Sequence, residues 1–93
     1  MIGNTLVGFI ESLYLNCDKE FQYRDQRFML QGWFNQLDQT YTLRMTEISE
    51  DSHTVFSFTS IDRHDCVSRF ENAKLFSGHT IYEAEDEIIV DYD

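Results

Sequence analysis

The chain contains no proline and only four glycines. Without proline, no segment is marked as a stiff linker or as a proline-rich recognition tract. The glycines are spread along the chain at Gly3, Gly8, Gly32 and Gly78, so no glycine-rich loop is available to cradle a phosphate. The sequence therefore shows no sign of an interdomain linker or of a nucleotide-binding fingerprint.

Basic residues are also scarce. Seven Lys and Arg stand against 17 Asp and Glu, which gives a formal net charge of −10. Residues 1–74 hold eleven acidic and seven basic residues, net −4, whereas residues 75–93 hold six acidic and no basic residues, net −6. A field of this sign repels nucleic acid and anionic membranes and attracts a basic partner. We therefore predict no nucleic-acid partner and no membrane partner.

Long hydrophobic runs are missing, since no run approaches the roughly 20 apolar residues of a membrane-spanning helix. The first fifteen residues are apolar, but they include Glu11 and no basic residue, which is unlike a secretory signal. The two cysteines, Cys17 and Cys66, fit a reducing compartment, although the sequence leaves a disulfide between them open. These features predict a soluble, cytoplasmic protein.

What the chain does have is enough apolar material to fold. Hydrophobic residues make up 42% of it and aromatic residues 15%, which is too apolar for a disordered chain even at this net charge. A chain of 93 residues can bury one core and cannot divide it. We expect a single compact domain over residues 1–93.

The first predicted element is a helix over residues 5–14. Apolar residues recur at helical spacing at Leu6, Phe9, Ile10 and Leu13. Gly8, Glu11 and Ser12 then fall together on the polar side, and Asn4 or Thr5 can cap the first turn. The alternative is a buried strand, because apolar residues also recur at every second position in this stretch.

From Phe21 onward the apolar period changes to two, which predicts four strands at about residues 20–24, 27–35, 40–48 and 54–60. Alternation places the following side chains on one buried face: Phe21, Tyr23, Phe28, Leu30, Phe34, Tyr41, Leu43, Met45, Phe56 and Phe58. The opposite face is polar apart from Met29 and Trp33. A sheet with one apolar and one polar face is typical of an antiparallel meander that is covered on one side.

Two further helices are predicted over residues 62–74 and 81–88. Cys66, Phe70 and Ala73 form the apolar stripe of the first. The second opens with TIYE, a capping box in which the Thr80 hydroxyl accepts from the Glu83 amide and the Glu83 carboxylate accepts from the Thr80 amide. The predicted fold class is therefore α+β: a four-stranded antiparallel β-meander with an N-terminal helix and two C-terminal helices packed on one face.

Motifs for catalysis or metal binding are weak. DRHDC groups His64 with Cys66, but residues two apart on a helix point in different directions, and Cys66 belongs to the apolar stripe. The other histidines and Cys17 lack the close-paired spacing of a zinc site, and the acidic residues lack the alternating ligands of a calcium loop. We predict no enzyme activity, no catalytic residues, no cofactor and no metal site.

The first candidate function is a small acidic inhibitor with a basic protein partner. It would be a bacterial immunity protein that neutralises a basic, nuclease-type toxin, or a phage anti-defence protein that mimics the charge of nucleic acid. The predicted binding surface is the C-terminal stretch with Glu85, Asp86, Glu87 and Asp91, because these carboxylates serve no cap and have no basic neighbour in sequence. We expect a monomer or a small oligomer.

The alternative function is a small-molecule or peptide-binding module. Its site would be the polar face of the sheet around Trp33 and Arg44. An exposed tryptophan beside an arginine is a typical pair of binding hot-spot residues. The sequence does not decide between this face and the acidic C-terminal stretch.

Overall fold

The computed structural model describes residues 1–92, so Asp93 lies outside the described residues. It shows an antiparallel sheet of five strands with helices on one of its faces. The elements in chain order are α1 (Leu6–Ser12), β1 (Cys17–Tyr23), β2 (Gln26–Asn35), β3 (Thr40–Glu47), β4 (His53–Ser60), α2 (Arg63–Asn72), α3 (Ile81–Ala84), a 3-10 turn (Glu85–Glu87) and β5 (Ile88–Tyr92).

The strand order across the sheet is β4-β3-β2-β1-β5, and every neighbouring pair is antiparallel. Strands β1 to β4 form the predicted meander, in which each strand lies beside the next one in the chain. β5 returns to the outer side of β1, with Ile88 opposite Tyr23. The α+β class and the antiparallel meander are confirmed, and the sheet has one strand more than predicted.

The helix predicted over residues 81–88 is wrong in its second half. α3 ends at Ala84, a 3-10 turn follows, and β5 begins at Ile88. Ile88 and Val90 are buried whereas Ile89 and Asp91 are exposed, which is the alternation of a strand. The capping box correctly indicated where the helix begins, but the β-branched run at residues 88–90 favours a strand and ends the helix early.

The helix over the first segment is confirmed, with α1 shorter than the predicted range. The Thr5 hydroxyl caps it by accepting a hydrogen bond of 3.0 Å from the Gly8 amide. Just after the helix, the Tyr41 hydroxyl of β3 donates to the carbonyl oxygens of Leu13 and Leu15, at 2.6 and 3.0 Å. Burial raises the pKa of Tyr41, so its hydroxyl keeps its proton and remains a donor. The end of α1 is thereby fixed to the centre of the sheet.

The core lies between the helices and the face of the sheet that alternation predicts to be apolar. Seven of the ten predicted side chains are fully buried, and Phe34, Phe56 and Phe58 are half-buried. The helices and loops add Phe9, Leu13, Cys66, Val67, Phe70, Phe76, Ile81 and Ala84 to the same cluster. Phe76 packs its ring against Phe21 and Phe28, at centroid distances of 6.2 and 6.1 Å.

Lys19 of β1 and Cys66 of α2 are also withdrawn from solvent, and Cys17 of β1 is half-buried. The Lys19 side chain is buried, with its ammonium 5.1 Å from the ring centre of Phe9, and burial lowers its pKa. Cys17 and Cys66 are free thiols, which settles the disulfide that the sequence left open. Burial raises the pKa of both thiols, so they act as apolar groups.

We expect Phe70→Ala to destabilise the protein far more than Arg69→Ala. Phe70 is fully buried and meets Phe56 edge to face at 5.8 Å, so its truncation leaves a cavity and should cost about 3 to 5 kcal/mol. Arg69 is exposed and rests on the ring of Phe58, a contact worth about 1 kcal/mol or less. Urea denaturation measures both values, and equal midpoints would show that the phase of α2 is wrong.

Candidate functional site

The structure places the four carboxylates of the predicted acidic surface in two locations. Glu85, Asp86 and Glu87 form the 3-10 turn before β5, at the end of the sheet where β1 finishes. Asp91 lies within β5 and shares the exposed face with Ile89. The predicted helix over residues 81–88 would place Glu87 in its last turn, whereas the structure has Glu87 in the 3-10 turn and Asp91 four residues further on in β5.

Two of these carboxylates have basic partners that the sequence did not reveal. The Glu87 carboxylate accepts two hydrogen bonds from the Arg24 guanidinium, both at 3.1 Å. The Asp91 carboxylate lies 3.2 Å from the Arg27 guanidinium and accepts a hydrogen bond from Gln22. Both arginines belong to the hairpin of β1 and β2. This hairpin is far from β5 in the sequence, but β5 lies beside β1 in the sheet. The inference that these acids lack basic neighbours holds for the sequence and fails for the fold.

The remaining acids of this segment differ in their roles. Glu85 lies 4.0 Å from the N-terminal ammonium of Met1. Glu83 completes the predicted capping box: its carboxylate accepts from the Thr80 amide at 2.9 Å, and its own amide donates to the Thr80 hydroxyl at 3.4 Å. Asp86 is exposed and makes no hydrogen bond or ion pair with any other residue in the described part of the chain.

Folding brings further acids to the same end of the sheet. Because the strands are antiparallel, the turn between β1 and β2 and the turn between β3 and β4 lie at one end, and β5 begins opposite the last residue of β1. Five strands span roughly 19 Å from edge to edge. We define the acidic end as the exposed carboxylates at this place: Asp25, Glu50, Asp51, Asp86 and Glu87.

Sequence reasoning missed Asp25, Glu50 and Asp51, which lie far from the C-terminal stretch in the chain. A signal was present, since alternate turns of an antiparallel meander always fall at the same end of the sheet. Both turns follow from the predicted strand ranges, since they are the gaps between residues 24 and 27 and between residues 48 and 54. What the sequence could not supply was the fifth strand, which connects the C-terminal acids to that end.

The basic side chains are mostly engaged elsewhere. Lys19 is buried, and three arginines outside the acidic end lie over aromatic rings. These stacked pairs are Arg44 on Trp33, Arg63 on Tyr41 and Arg69 on Phe58. Arg24 lies within the acidic end, where it pairs with Glu87 and rests on the ring of Tyr23. Arg27, the second residue of β2, borders the same end and pairs with Asp91 and Glu20. Negative charge at that end is therefore only partly compensated.

Trp33 and Arg44 meet on the open face of the sheet, as the alternative function requires. The guanidinium carbon of Arg44 lies 4.9 Å from the centre of the Trp33 ring, and Trp33 is 37% exposed. The pair borders a groove of about 540 Å³ that is also lined by Asn16, Cys17, Asp18, Gln31 and Gly32. The Nε atom of Arg44 is buried and has no hydrogen-bond partner among the described residues.

The groove and the acidic end are separate surfaces. Trp33 lies seven residues along β2 from Gln26, where that strand leaves the acidic end, which corresponds to roughly 23 Å. The structure therefore does not bring Trp33 and Arg44 together with Glu85, Asp86 and Glu87. Asp91, in the edge strand β5, does not line the groove either.

The residues that the sequence suggested for chemistry do not converge. Cys66 is buried, and its thiol donates to the Tyr41 carbonyl oxygen at 3.3 Å, whereas His64 is exposed on α2. Within residues 1–92, no three His, Cys, Asp or Glu side chains are grouped as a metal site would need. None of the helices formed by these residues has the length and apolar character needed to cross a bilayer.

Comparisons with protein-family models, with curated proteins and with solved structures found no match for this chain. No relative therefore supplies a function or a set of site residues. The inference of function depends on the charges and surfaces of the folded chain itself.

We expect the contribution of the Arg24–Glu87 pair to disappear at low pH. The hydrogen bonds from Arg24 hold the pKa of the Glu87 carboxyl below its ordinary value of 4.5. A carboxyl whose pKa is lower in the folded state than in the unfolded state stabilises the fold when the pH is above its unfolded-state pKa. This stabilisation is lost as the pH falls through the folded-state pKa. Arg24→Gln should therefore lower Tm more at pH 7 than at about pH 2, where only the contact of Arg24 with the ring of Tyr23 is lost.

Arg69→Gln serves as the control for this measurement, because Arg69 stacks on Phe58 and forms no ion pair with the described residues. Its effect on Tm should be similar at both pH values. A Tm difference for Arg24→Gln that is as large at the acidic pH as at pH 7 would contradict the assignment of the lowered pKa to this pair.

Proposed function

We propose that this chain is a small acidic binding protein whose partner is a basic protein, and that it meets this partner through the acidic end. The observation that carries the proposal is the placement of five exposed carboxylates, from three separate segments, at one end of the sheet. Four of them, Asp25, Glu50, Asp51 and Asp86, form no ion pair within the described part of the chain. Such an arrangement is complementary to a surface of lysines and arginines.

Charge alone does not hold a complex together. An exposed ion pair contributes about 0.2 to 1 kcal/mol, so the carboxylates would mainly steer the encounter and set its orientation. Apolar side chains are needed for affinity, and exposed ones border the acidic end. Ile48 follows β3 at this end and is 36% exposed, and Ile89 in β5 is 41% exposed. Together they offer apolar contact beside the steering charges.

The class of partner follows from the same chemistry. A cleft that binds nucleic acid presents lysines and arginines to a row of phosphates, and carboxylates spread over roughly 19 Å can occupy such a cleft. In this proposal the chain is an inhibitor of a basic, nuclease-type toxin or of a nucleic-acid-binding defence enzyme. It works in the cytoplasm as a monomer or small oligomer, and it needs no catalytic group, cofactor or metal because it acts by occupying the partner's site.

Charge reversal at the acidic end should slow association with the partner. Asp51→Lys combined with Asp86→Lys should reduce the association rate at low salt by about tenfold or more, and by less as salt is added. The matched control is Glu11→Lys with Asp38→Lys, which makes the same change in net charge at exposed positions on α1 and in the turn between β2 and β3. It should change the rate by less than about threefold.

The measurement is surface plasmon resonance against the basic protein that the native chain captures from its host cells. If both double variants slow association equally, the effect is one of net charge alone, and the acidic end is not the binding surface. A captured partner without a basic surface would overturn the proposal.

A second candidate function is the binding of a peptide or small molecule in the groove beside Trp33. It is favoured by the buried Arg44 Nε atom, which lacks a hydrogen-bond partner among residues 1–92. A ligand carboxylate or phosphate would supply that partner, while the ring of Trp33 holds the guanidinium in place. In this case Arg44→Gln should abolish binding and the charge-reversed acidic end should leave it intact, with little dependence on salt.

A further inference from the structure

The two edges of the sheet differ in how they are protected. At the β5 edge, the Ile2 amide donates to the Ile88 carbonyl oxygen at 3.0 Å, and the Val90 amide donates to the Ile2 carbonyl oxygen at 2.8 Å. Gly3 follows so closely that an added Cβ would lie 2.3 Å from the Val90 carbonyl oxygen. The N-terminal residues thus cover this edge. At the other edge, β4 has a strand neighbour on one side only within the described residues.

From Phe56 to Ser60, β4 also lacks the features that usually prevent an edge strand from pairing. The segment His53–Ser60 contains no Lys, Arg, Asp, Glu or Pro, in a chain whose net charge is −10. Its bulge lies near its start, and residues from Phe56 to Ser60 keep a regular register with β3. Natural edge strands are normally blocked by charge, proline, bulges or a covering segment. An open, regular and uncharged edge is a template for another strand.

Beside the β4 edge there is also space for the side chains of an added strand. A groove of about 610 Å³ lies between β4 and α2. The half-buried rings of Phe56 and Phe58 form its apolar part, and Ser68, Arg69 and Asn72 of α2 also line it. An added strand would direct every second side chain to this side of the sheet.

The charges around β4 decide which strand fits. Glu50 and Asp51 precede it, and Asp62 and Asp65 follow it, so both ends are acidic. A second copy of this chain would bring acids against acids in either strand direction, which disfavours it. We propose that β4 binds an extended basic segment of the partner, which adds a sixth strand to the sheet and places its lysines or arginines near these acids. This inference rests on the proposed function and specifies how the partner docks.

The test uses a synthetic peptide of alternating lysine and valine with blocked termini, about as long as the eight residues of β4. Amide hydrogen exchange at residues 56–60, followed by NMR, should slow by about tenfold or more at about 1 mM peptide. The control peptide carries N-methyl groups on alternate residues, which keeps its charge and removes the donors that a strand needs. Absence of slowing with the first peptide, or equal binding of the second, would overturn the proposal.

Two protein variants test the position of the added strand. Ser57→Lys with Thr59→Lys puts two positive charges on β4, and Thr42→Lys with Thr46→Lys puts two on the neighbouring β3, on the same face. Both variants remove the hydrogen bond between the Thr42 and Thr59 hydroxyls, which are 2.7 Å apart. The β4 variant should weaken peptide binding by about tenfold and the β3 variant by less than about threefold. Equal weakening would contradict docking at β4.

The outcomes separate this inference from the proposed function. If the peptide binds in a salt-dependent way and perturbs residues 25, 51 and 86 without slowing exchange in β4, the inference fails and the proposed function stands. If a peptide with serine in place of lysine protects β4 equally well, the requirement for a basic segment fails, and the proposed function loses support with it. Exchange that slows with protein concentration alone would identify a second copy as the occupant and overturn the proposal.

Discussion

The burial of one face of the sheet is the constraint on which the rest of this structure depends. Residues 1–92 form three short α-helices, and all of them pack their apolar side chains into the cluster on that face. Burial of a large aromatic side chain contributes on the order of 1.5 to 3 kcal/mol, so this aromatic face dominates the stability. Tyr41 shows how closely the parts are connected, because its ring lies in the core and its hydroxyl holds the segment after α1.

That constraint also determines which surfaces are left for binding. With every helix on one side, the opposite face of the sheet remains open at Trp33 and Arg44, and the β4 edge remains uncovered. The antiparallel order places acidic turns at one end, while most of the basic side chains lie over aromatic rings or within ion pairs. The separation of charge therefore arises from the fold as much as from the composition.

Much of this fold could be predicted from the sequence, since the switch from helical spacing to alternation is set by local patterns. The cap at Thr80, the strand phases and the Trp33–Arg44 pair depend on short separations or on the pairing of consecutive strands, and the structure contains them. β5 could not be placed, because its partner β1 lies far away in sequence. The Arg24–Glu87 pair joins residues 63 positions apart, so no local pattern indicates it.

The acidic surface also depends partly on local sequence and partly on the pairing of distant strands. Composition showed that the C-terminal stretch is acidic, but the grouping of Asp86 with Asp25 and Asp51 is a consequence of strand order. Carboxylates that look unpaired in sequence, such as Glu87 and Asp91, prove to be paired in the fold. Three-dimensional placement thus changes which acids are available to a partner, and it moves the expected contact toward the turns.

We infer above all that the fold concentrates negative charge at the acidic end. The most direct test of this inference measures the electrostatic potential of the free protein, residue by residue. NMR relaxation enhancement by a cationic soluble nitroxide, compared with a neutral one of the same size, reports how strongly each amide neighbourhood attracts positive charge. If the fold concentrates negative potential at the acidic end, the enhancement ratio should be largest around residues 25, 50, 51 and 86, and smaller around Glu11 and Asp38. A ratio that is uniform over the surface, or largest around Glu11 and Asp38, would contradict it.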